Sequence, residues 1–434
     1  MKDRLIICND DGIQMLHHAV PGSVEQSVRD WVDFFLQECN VEVFSYCTAF
    51  PDKTHHETTV GERYFENMEV SPSQSQLHNG QALDELALAG TDALHVVADQ
   101  VHQRSKRVLA SVRMSDVHHA SALYGFMAPD IFRNNPDWRI RQQDGSQDVA
   151  LDYSHEGVRA HRLAIIEEIV STHAVDGIEL DFMRSCRYFP EHLATSRMNI
   201  MNDFVEQVHS VLAAARDRCL LGVRLPPSLA ECPGLGLDPD TWIRQGWVDY
   251  VAPSDFMWLD YGIRVEDYAG LCAGTDCGVY PCLNPFAAEW VNHRAVNAYT
   301  PNPVNFNRRV FFSDEQFRGC LRNYDRWGQT VRTPSTSAAK RSTTRTTCGV
   351  PTLWPEKHAK PEGRGQPPTS IYPSGASRGP PAGPIRPGEP FALLSVSVRS
   401  SPFAWQTASG AVRCRDGSGS ASTTCMMGMT CRST

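Results

Sequence analysis

Along the first 328 residues, short apolar runs alternate with segments in which apolar residues recur every three or four positions. The runs are typical of buried strands, and the periodic segments are typical of amphipathic helices. The pattern predicts seven strands, at residues 4–9, 41–46, 107–114, 175–184, 220–225, 248–253 and 278–283. It predicts helices over 24–38, 91–103 and 196–217, with others beginning at Ser154, Asp238 and Ser313, and a polar loop that extends to about residue 81.

Strict alternation of strands and helices is expected of a parallel sheet with crossover helices. Seven such units in succession favour an α/β fold of the TIM-type (β/α)8 barrel over an open doubly wound sheet. No glycine-rich phosphate loop follows any of the predicted strands, which argues against a dinucleotide-binding fold. We therefore predict a barrel over residues 1–328, with no strand-like pattern where its eighth strand would be expected.

Residues 329–434 differ sharply in composition, being rich in Ser, Thr, Pro, Gly and Arg. Their only acidic residues are Glu356, Glu362, Glu389 and Asp416. Such a segment buries too little apolar surface to offset its ordering entropy, so we expect a low-complexity, disordered tail. We hypothesise that it arises from a frameshift; the hypothesis is rejected if neither of the other two reading frames beyond Gly328 encodes a strand-like continuation.

The composition and charge of the chain indicate which kinds of molecule it binds. The 434 residues carry a formal net charge of -9, and no cluster of Lys and Arg interleaved with aromatics is present. A nucleic-acid partner is therefore not expected, whereas a sugar or another neutral or cationic small molecule is. Oligomeric state is left open.

The N-terminal stretch and the cysteines indicate a compartment. The start MKDRLIICNDDG lacks the apolar core of a secretory signal, and no apolar run is long enough to cross a bilayer. Of the 14 cysteines, Cys8, Cys47, Cys219 and Cys277 lie within or beside apolar runs, and no CxxC pair occurs. We expect a reduced, cytoplasmic protein with buried thiols, no structural zinc and no cofactor.

The stretch VDGIELDFMR, residues 175–184, places two acids inside a strand-like segment. Side chains alternate along a strand, so Glu179 and Asp181 share one face while Ile178, Leu180 and Phe182 share the other. If the acid-bearing face lines the inside of a barrel, the carboxylates need a structural or chemical reason to be there.

Polar side chains also follow the other predicted strands, and catalytic groups of such barrels lie at the carboxyl ends of the strands. We expect these side chains to converge on one mouth, as in a carbohydrate site in which carboxylates act and Arg and Tyr hold hydroxyls. The candidates are Asp10 and Asp11; Arg113, Asp116 and His118; Glu179, Asp181 and Arg184; Arg224; Asp255 and Trp258; and Tyr280.

Three segments resemble a known family. RVLASVRMSDVHHA, LDYSHEGVRAHRLAIIEEIV and VDGIELDFMR are similar to glycoside-hydrolase-like barrels of bacteria. Their DGI-x-LD-x-x-R pattern is matched from Asp176 to Arg184, and the resemblance implies a sugar-directed hydrolase. The last segment is also similar to the chitinase signature DGIDLDWE, but Met183 stands where that family has its proton donor.

The position of each acid along its strand suggests its candidate role in catalysis. Asp181, nearer the end of its strand than Glu179, is the candidate nucleophile or base, and Asp255 is the preferred proton donor with Asp116 second. A carboxylate separation of about 5 Å would indicate a retaining mechanism and roughly 6.5 to 9.5 Å an inverting one.

Other roles stay open. Glu179 either takes part in the chemistry or forms a structural ion pair with Arg113 or Arg224. Asp255 either donates a proton or caps a turn, and Trp258 is either a sugar-stacking platform or a rim aromatic.

Two rival functions remain. IICNDDGI, residues 6–13, is similar to the metal-binding start of survival-protein nucleotidases, which would make Asp10 and Asp11 ligands of a metal-dependent phosphohydrolase. Alternatively, the chain is a non-catalytic carbohydrate-binding barrel or an inactive truncated one.

Overall fold

The structure is a computed structural model. It describes residues 6–38, 41–66, 74–215, 219–255, 258–259, 262–284, 286–287, 290–291, 294–295, 310–311, 314–329 and 394–398.

The centre of the fold is a closed ring of eight parallel strand positions. The strands are, in order, Ile6–Asp10, Val43–Phe50, Arg107–Arg113, Gly177–Asp181, Leu220–Leu225, Tyr250–Pro253, a seventh in two pieces (Gly278–Val279 and Cys282–Leu283), and Leu394–Val398. The first piece of the seventh strand pairs with the sixth, and the second piece pairs with the eighth. Because the eighth pairs in turn with the first, the ring closes, and the predicted (β/α)8 barrel is confirmed.

The eighth position is filled by a segment in which we predicted no strand. Leu394–Val398 pairs along five residues with Ile6–Asp10, so the edge of the first strand is covered. The rest of the predicted disordered tail, 329–434, lies outside the described residues apart from the end of one helix at Gln329. Its disorder and its proposed frameshift origin therefore stay predictions.

Helices connect the strands. They are Ile13–His17, Val24–Glu38, Gln74–Leu88, Ala93–Gln103, Asp130–Asn134, Glu156–Thr172, Met198–Ala215, Pro239–Arg244, Val265–Leu271 and Asp314–Gln329. Four of them were not predicted: Ile13–His17, Gln74–Leu88, Asp130–Asn134 and Val265–Leu271. The first half of Gln74–Leu88 lies where we predicted a polar loop, because its apolar face is short, with Ala82, Leu83 and Leu86 buried.

Short strands also occur in the connections between the barrel strands. They are Lys53–Thr54 and Glu62–Arg63; Arg139–Arg141 and Gln147–Leu151; Trp258–Leu259, Phe286–Ala287 and Val310–Phe311; and Trp290–Val291 with Arg294–Ala295.

Strand alternation divides the barrel interior into layers. The lower layer is mostly apolar, and its members are Ile7, Val43, Leu109, Tyr250, Ala252, Tyr280 and Cys282. Two residues further along the strands lies the middle layer, which consists of Asn9, Ser45, Ser111 and Glu179. The upper layer, at the strand ends, contains Asp11, Arg113, Asp181, Arg224 and Ser254. The interior is therefore a packed core that becomes more highly charged towards the mouth.

The structure also bears on the predictions about membrane spans and cysteines. Within the described part of the chain, none of the helices combines the length and apolar character needed to cross a membrane. Cys232, Cys272 and Cys277 are buried thiols without a disulfide.

Candidate functional site

Glu179 lies in the centre of the barrel and is fully buried. Its Oε1 accepts hydrogen bonds from Asn9 Nδ2 at 2.5 Å, Ser111 Oγ at 3.1 Å and Ser45 Oγ at 3.2 Å, while its Oε2 accepts one from Tyr250 OH at 2.7 Å. Burial raises the pKa of Glu179, although the hydrogen bonds from Tyr250 and Ser111 oppose the shift. The acid faces the barrel interior as predicted, surrounded by uncharged donors.

The expected ion pair of Glu179 with Arg113 or Arg224 was wrong. Both arginines lie one layer higher, where Arg113 pairs with Asp11 and Asp116, and Arg224 pairs with Asp181. The reason is the register, since a two-residue step along a strand moves a side chain by about 6.6 Å.

A glycine makes room for one of the Glu179 contacts. Gly222 pairs with Glu179 on one side and with Tyr250 on the other. A Cβ atom at position 222 would overlap the Tyr250 ring, so only glycine allows the tyrosine hydroxyl to cross the fifth strand and reach the carboxylate.

Sequence reasoning missed these partners of the acid. Asn9, Ser45, Ser111 and Tyr250 attracted no attention because they are single polar residues within strand-like runs. Their signal was the same period of two that placed Glu179 inward, applied to the first, second, third and sixth strands.

The upper layer is charged, and Asp181 is at its centre. Its Oδ2 lies 3.3 Å from Nη1 of Arg224, and its Oδ1 accepts a hydrogen bond from the Met183 amide at 2.8 Å. Arg224 is fully buried and also donates from Nη2 to Ser254 Oγ at 2.8 Å. Burial alone would lower the pKa of Arg224, but attraction to nearby carboxylates, Asp181 first, produces a net increase.

A second group of charges surrounds Arg113. Its guanidinium donates to Asp11 and, at 2.7 Å, to Asp116, and it lies 3.8 Å from the centre of the Phe50 ring. Burial would raise the pKa of Asp116, but His118 and Arg113 lower it well below its usual range. Asp116 is therefore ionised at neutral pH.

His118 joins this group to Arg184. Its Nδ1 lies 2.5 Å from Asp116 Oδ1, and its Nε2 contacts Nη2 of Arg184. A guanidinium can only donate, so Nε2 accepts and Nδ1 carries the proton. Burial, the largest cause, lowers the pKa of His118, which is consistent with a neutral ring.

Asp255 follows the sixth strand and is buried, with 5% of its surface exposed. Its backbone carbonyl accepts hydrogen bonds from Ser254 Oγ at 2.6 Å and Asn284 Nδ2 at 2.9 Å. These contacts fix the backbone of the preferred proton donor. Trp258 begins a short strand, but its side chain lies outside what the structure describes.

Tyr280 does not lie at the mouth, contrary to prediction. It is fully buried in the lower layer, where its ring meets that of Tyr250 edge to face at 5.6 Å. Position along the strand decides this, since Tyr280 lies between the two pieces of the seventh strand rather than beyond its end.

Asp10 and Asp11 lie on different faces of the first strand. Asp10 accepts hydrogen bonds from the Gly12 amide at 2.7 Å and, outside the barrel, from Trp31 Nε1 at 2.9 Å, whereas Asp11 pairs with Arg113. Burial raises the pKa of Asp10 to about 6. Among the described residues, neither acid belongs to a group of three side chains close enough to share a metal ion. The shared metal site that the phosphohydrolase alternative requires is not found there.

Comparisons with known proteins complete the description. No family model and no curated protein matches the chain. Among solved structures, it is similar to an α-galactosidase from Thermus thermophilus, with 12% identity over 76% of this chain and 57% of that chain and a TM-score of 0.39.

Two further similarities have lower coverage of this chain. A cycloisomaltooligosaccharide glucanotransferase from Paenibacillus sp. has 10% identity over 64% of this chain and 38% of that one, with a TM-score of 0.38. A class V chitinase from Pseudomonas fluorescens has 11% identity over 58% and 54%, with a TM-score of 0.30. The match thus spans between 38% and 57% of these proteins. The barrel assignment rests on the strand order and not on these similarities.

Proposed function

We propose that the chain is a glycoside hydrolase with its active site at the mouth of the barrel. The observation that carries the proposal is the pairing of carboxylates with arginines where the strands end: Asp181 with Arg224, and Asp11 and Asp116 with Arg113. Buried charges at the carboxyl ends of barrel strands are costly to maintain, and a catalytic role is the common reason for them.

The roles follow from the surroundings of each acid. Asp181 acts as base or nucleophile, and Asp255 protonates the departing glycosidic oxygen while water supplies the new hydroxyl at the anomeric carbon. Asp116 is the poorer donor because its neighbours lower its pKa and keep it ionised. Glu179 supports the layer from below and does not reach the substrate, since it is fully buried.

The test is hydrolysis of a panel of oligosaccharides by the wild type and by Asp181→Asn. We expect the substitution to lower turnover at least about a hundredfold, because a general base or nucleophile is removed while the side chain keeps its size. Asp137→Asn is the matched control: its side chain is 88% exposed and pairs only locally, with Arg141 four residues away.

The outcomes separate the parts of the proposal. Equal turnover by wild type and Asp181→Asn would refute the role of Asp181. Normal turnover by Asp255→Asn would refute its role as proton donor. Absence of product from every sugar, in a wild type that unfolds cooperatively, would refute hydrolysis itself.

A specific observation favours a second candidate, a barrel that binds carbohydrate without cleaving it. Met183 occupies the position of the chitinase proton donor, is buried, and donates its backbone N–H to Asp181. Calorimetric titration with the same oligosaccharides distinguishes the candidates, since heat of binding without product identifies the non-catalytic barrel.

A further inference from the structure

A second polar group lies outside the barrel, between two helices. Asp92 caps the N-terminus of Ala93–Gln103, His95 lies in the first turn of that helix, and His173 ends Glu156–Thr172. We name these three residues the outer histidine cluster. Asp92 Oδ2 lies 2.9 Å from His173 Nε2 and 3.1 Å from His95 Nδ1, and one ligand atom from each residue comes within 4.8 Å of the other two.

The proton positions at His173 are determined by its neighbours. The Thr172 hydroxyl donates to the Glu168 carbonyl at 2.7 Å, so its oxygen must accept the hydrogen bond of 2.8 Å from His173 Nδ1. With Nδ1 protonated, the neutral ring presents a lone pair at Nε2 to a carboxylate oxygen. Two acceptors at 2.9 Å repel each other unless a proton or a metal ion lies between them.

A nearby histidine adds an independent observation. His56 is buried, and its ring meets that of His173 edge to face at 5.4 Å. Its Nε2 has no hydrogen-bond partner among the described residues and lies 3.9 Å from a Glu168 carboxylate oxygen. The Glu168 carboxylate already accepts hydrogen bonds from Thr58 and Thr59, so the unused coordinating atom beside the cluster is Nε2 of His56.

The distances suit a small tetrahedral cation. Zinc lies about 2.0 to 2.2 Å from its nitrogen and oxygen ligands, which places tetrahedral ligand atoms roughly 3.3 Å apart. The separations of 2.9 and 3.1 Å from Asp92 Oδ2 need to widen by only a few tenths of an ångström. The two histidine ligand atoms lie within 4.8 Å of each other, so they need to approach by at most about 1.5 Å. Imidazole nitrogens favour zinc over magnesium or calcium.

We propose that Asp92, His95 and His173 form a zinc site that joins the two helices. The side chains of Asp92 and His173 are almost fully buried, whereas 51% of the His95 side chain is exposed, so the fourth position opens to water at that side. This revises our expectation of no zinc. The site has no characteristic sequence spacing, because His173 lies 81 residues after Asp92.

The experiment measures zinc binding to the purified full chain, stripped with a chelator, by competition with a chromogenic zinc indicator. The test variant is His95→Gln, chosen because its exposed side chain can be changed without unfolding the protein. The control is His102→Gln: this histidine lies on the same helix, is 37% exposed and likewise contacts a carboxylate, that of Asp176.

We expect the wild type and His102→Gln each to bind one zinc ion per chain. His95→Gln should bind zinc at this site at least about tenfold more weakly. Zinc should also raise the melting temperature of the first two proteins but not of the third. Cobalt bound at the site should give the visible bands of a tetrahedral ion with nitrogen and oxygen ligands, without a thiolate charge-transfer band.

Two results would overturn the proposal. One is equal zinc affinity and stoichiometry in all three proteins, which would assign the bound metal to other groups, such as cysteines. The other is the absence of zinc binding by a folded wild type, which would mean that a proton, and not a metal ion, lies between Asp92 and His173.

Discussion

The middle and upper layers of the barrel each contain an acid of the fourth strand, but the two acids have opposite kinds of partner. Glu179 accepts four hydrogen bonds from uncharged donors, and burial raises its pKa. Asp181, two residues on, lies against the buried guanidinium of Arg224. The comparison shows that two residues along a strand are enough to separate a carboxyl group buried among neutral partners in the core from one that forms an ion pair in a charged site.

The largest effect expected on stability comes from the upper layer. Arg224→Met leaves Asp181 buried without its cation, so we expect the free energy of unfolding to fall by about 3 to 5 kcal/mol. Urea denaturation measures it. Adding Asp181→Leu should restore part of the loss, because the uncompensated charge is removed; a double variant as unstable as Arg224→Met would contradict this explanation.

Asp10, which faces out of the barrel, predicts a dependence of stability on pH. Burial raises its pKa from 3.8 to about 6 in the folded chain, so between these values the folded state holds more protons than the unfolded state. Its contribution to stability therefore falls as pH rises from about 4 to 6, by about 3 kcal/mol. The measurement is unfolding at pH 4 and pH 7; Asp10→Asn should gain stability relative to wild type over this interval.

The middle layer is sensitive to volume. Gly222→Ala forces the Tyr250 ring away from Glu179, and we expect the free energy of unfolding to fall by about 2 kcal/mol. Gly270→Ala is the control, since its added Cβ meets no atom within 4 Å. Thermal unfolding of both variants tests the prediction, and equal melting temperatures would contradict it.

The smallest effect is expected from a single donor of the middle layer. Tyr250→Phe keeps the ring but removes one of four hydrogen bonds to Glu179, which should lower the free energy of unfolding by about 1 to 2 kcal/mol. Because that donor stabilises the ionised form, the pKa of Glu179 should rise further. The loss should thus be greater at pH 8 than at pH 4, and a pH-independent loss would show that only packing had changed.

The sequence by itself determined the barrel and the orientation of its acids. Alternation in VDGIELDFMR places Glu179 and Asp181 on one face, and the succession of strands and helices places that face inside a ring. These conclusions needed only local periodicity. Asp238 was likewise correctly predicted to begin the helix Pro239–Arg244, because a cap acts within a few residues.

Only the tertiary structure decided what each acid contacts. The partners of Glu179 include Asn9, 170 residues away, and Tyr250, 71 residues away, and their approach depends on strand register and on the missing side chain of Gly222. Leu394–Val398 closes the ring from a stretch whose composition indicated disorder, and His173 reaches Asp92 across two helices. The physical reason is that hydrogen bonds and ion pairs form over about 3 Å in space, a distance that sequence separation does not encode.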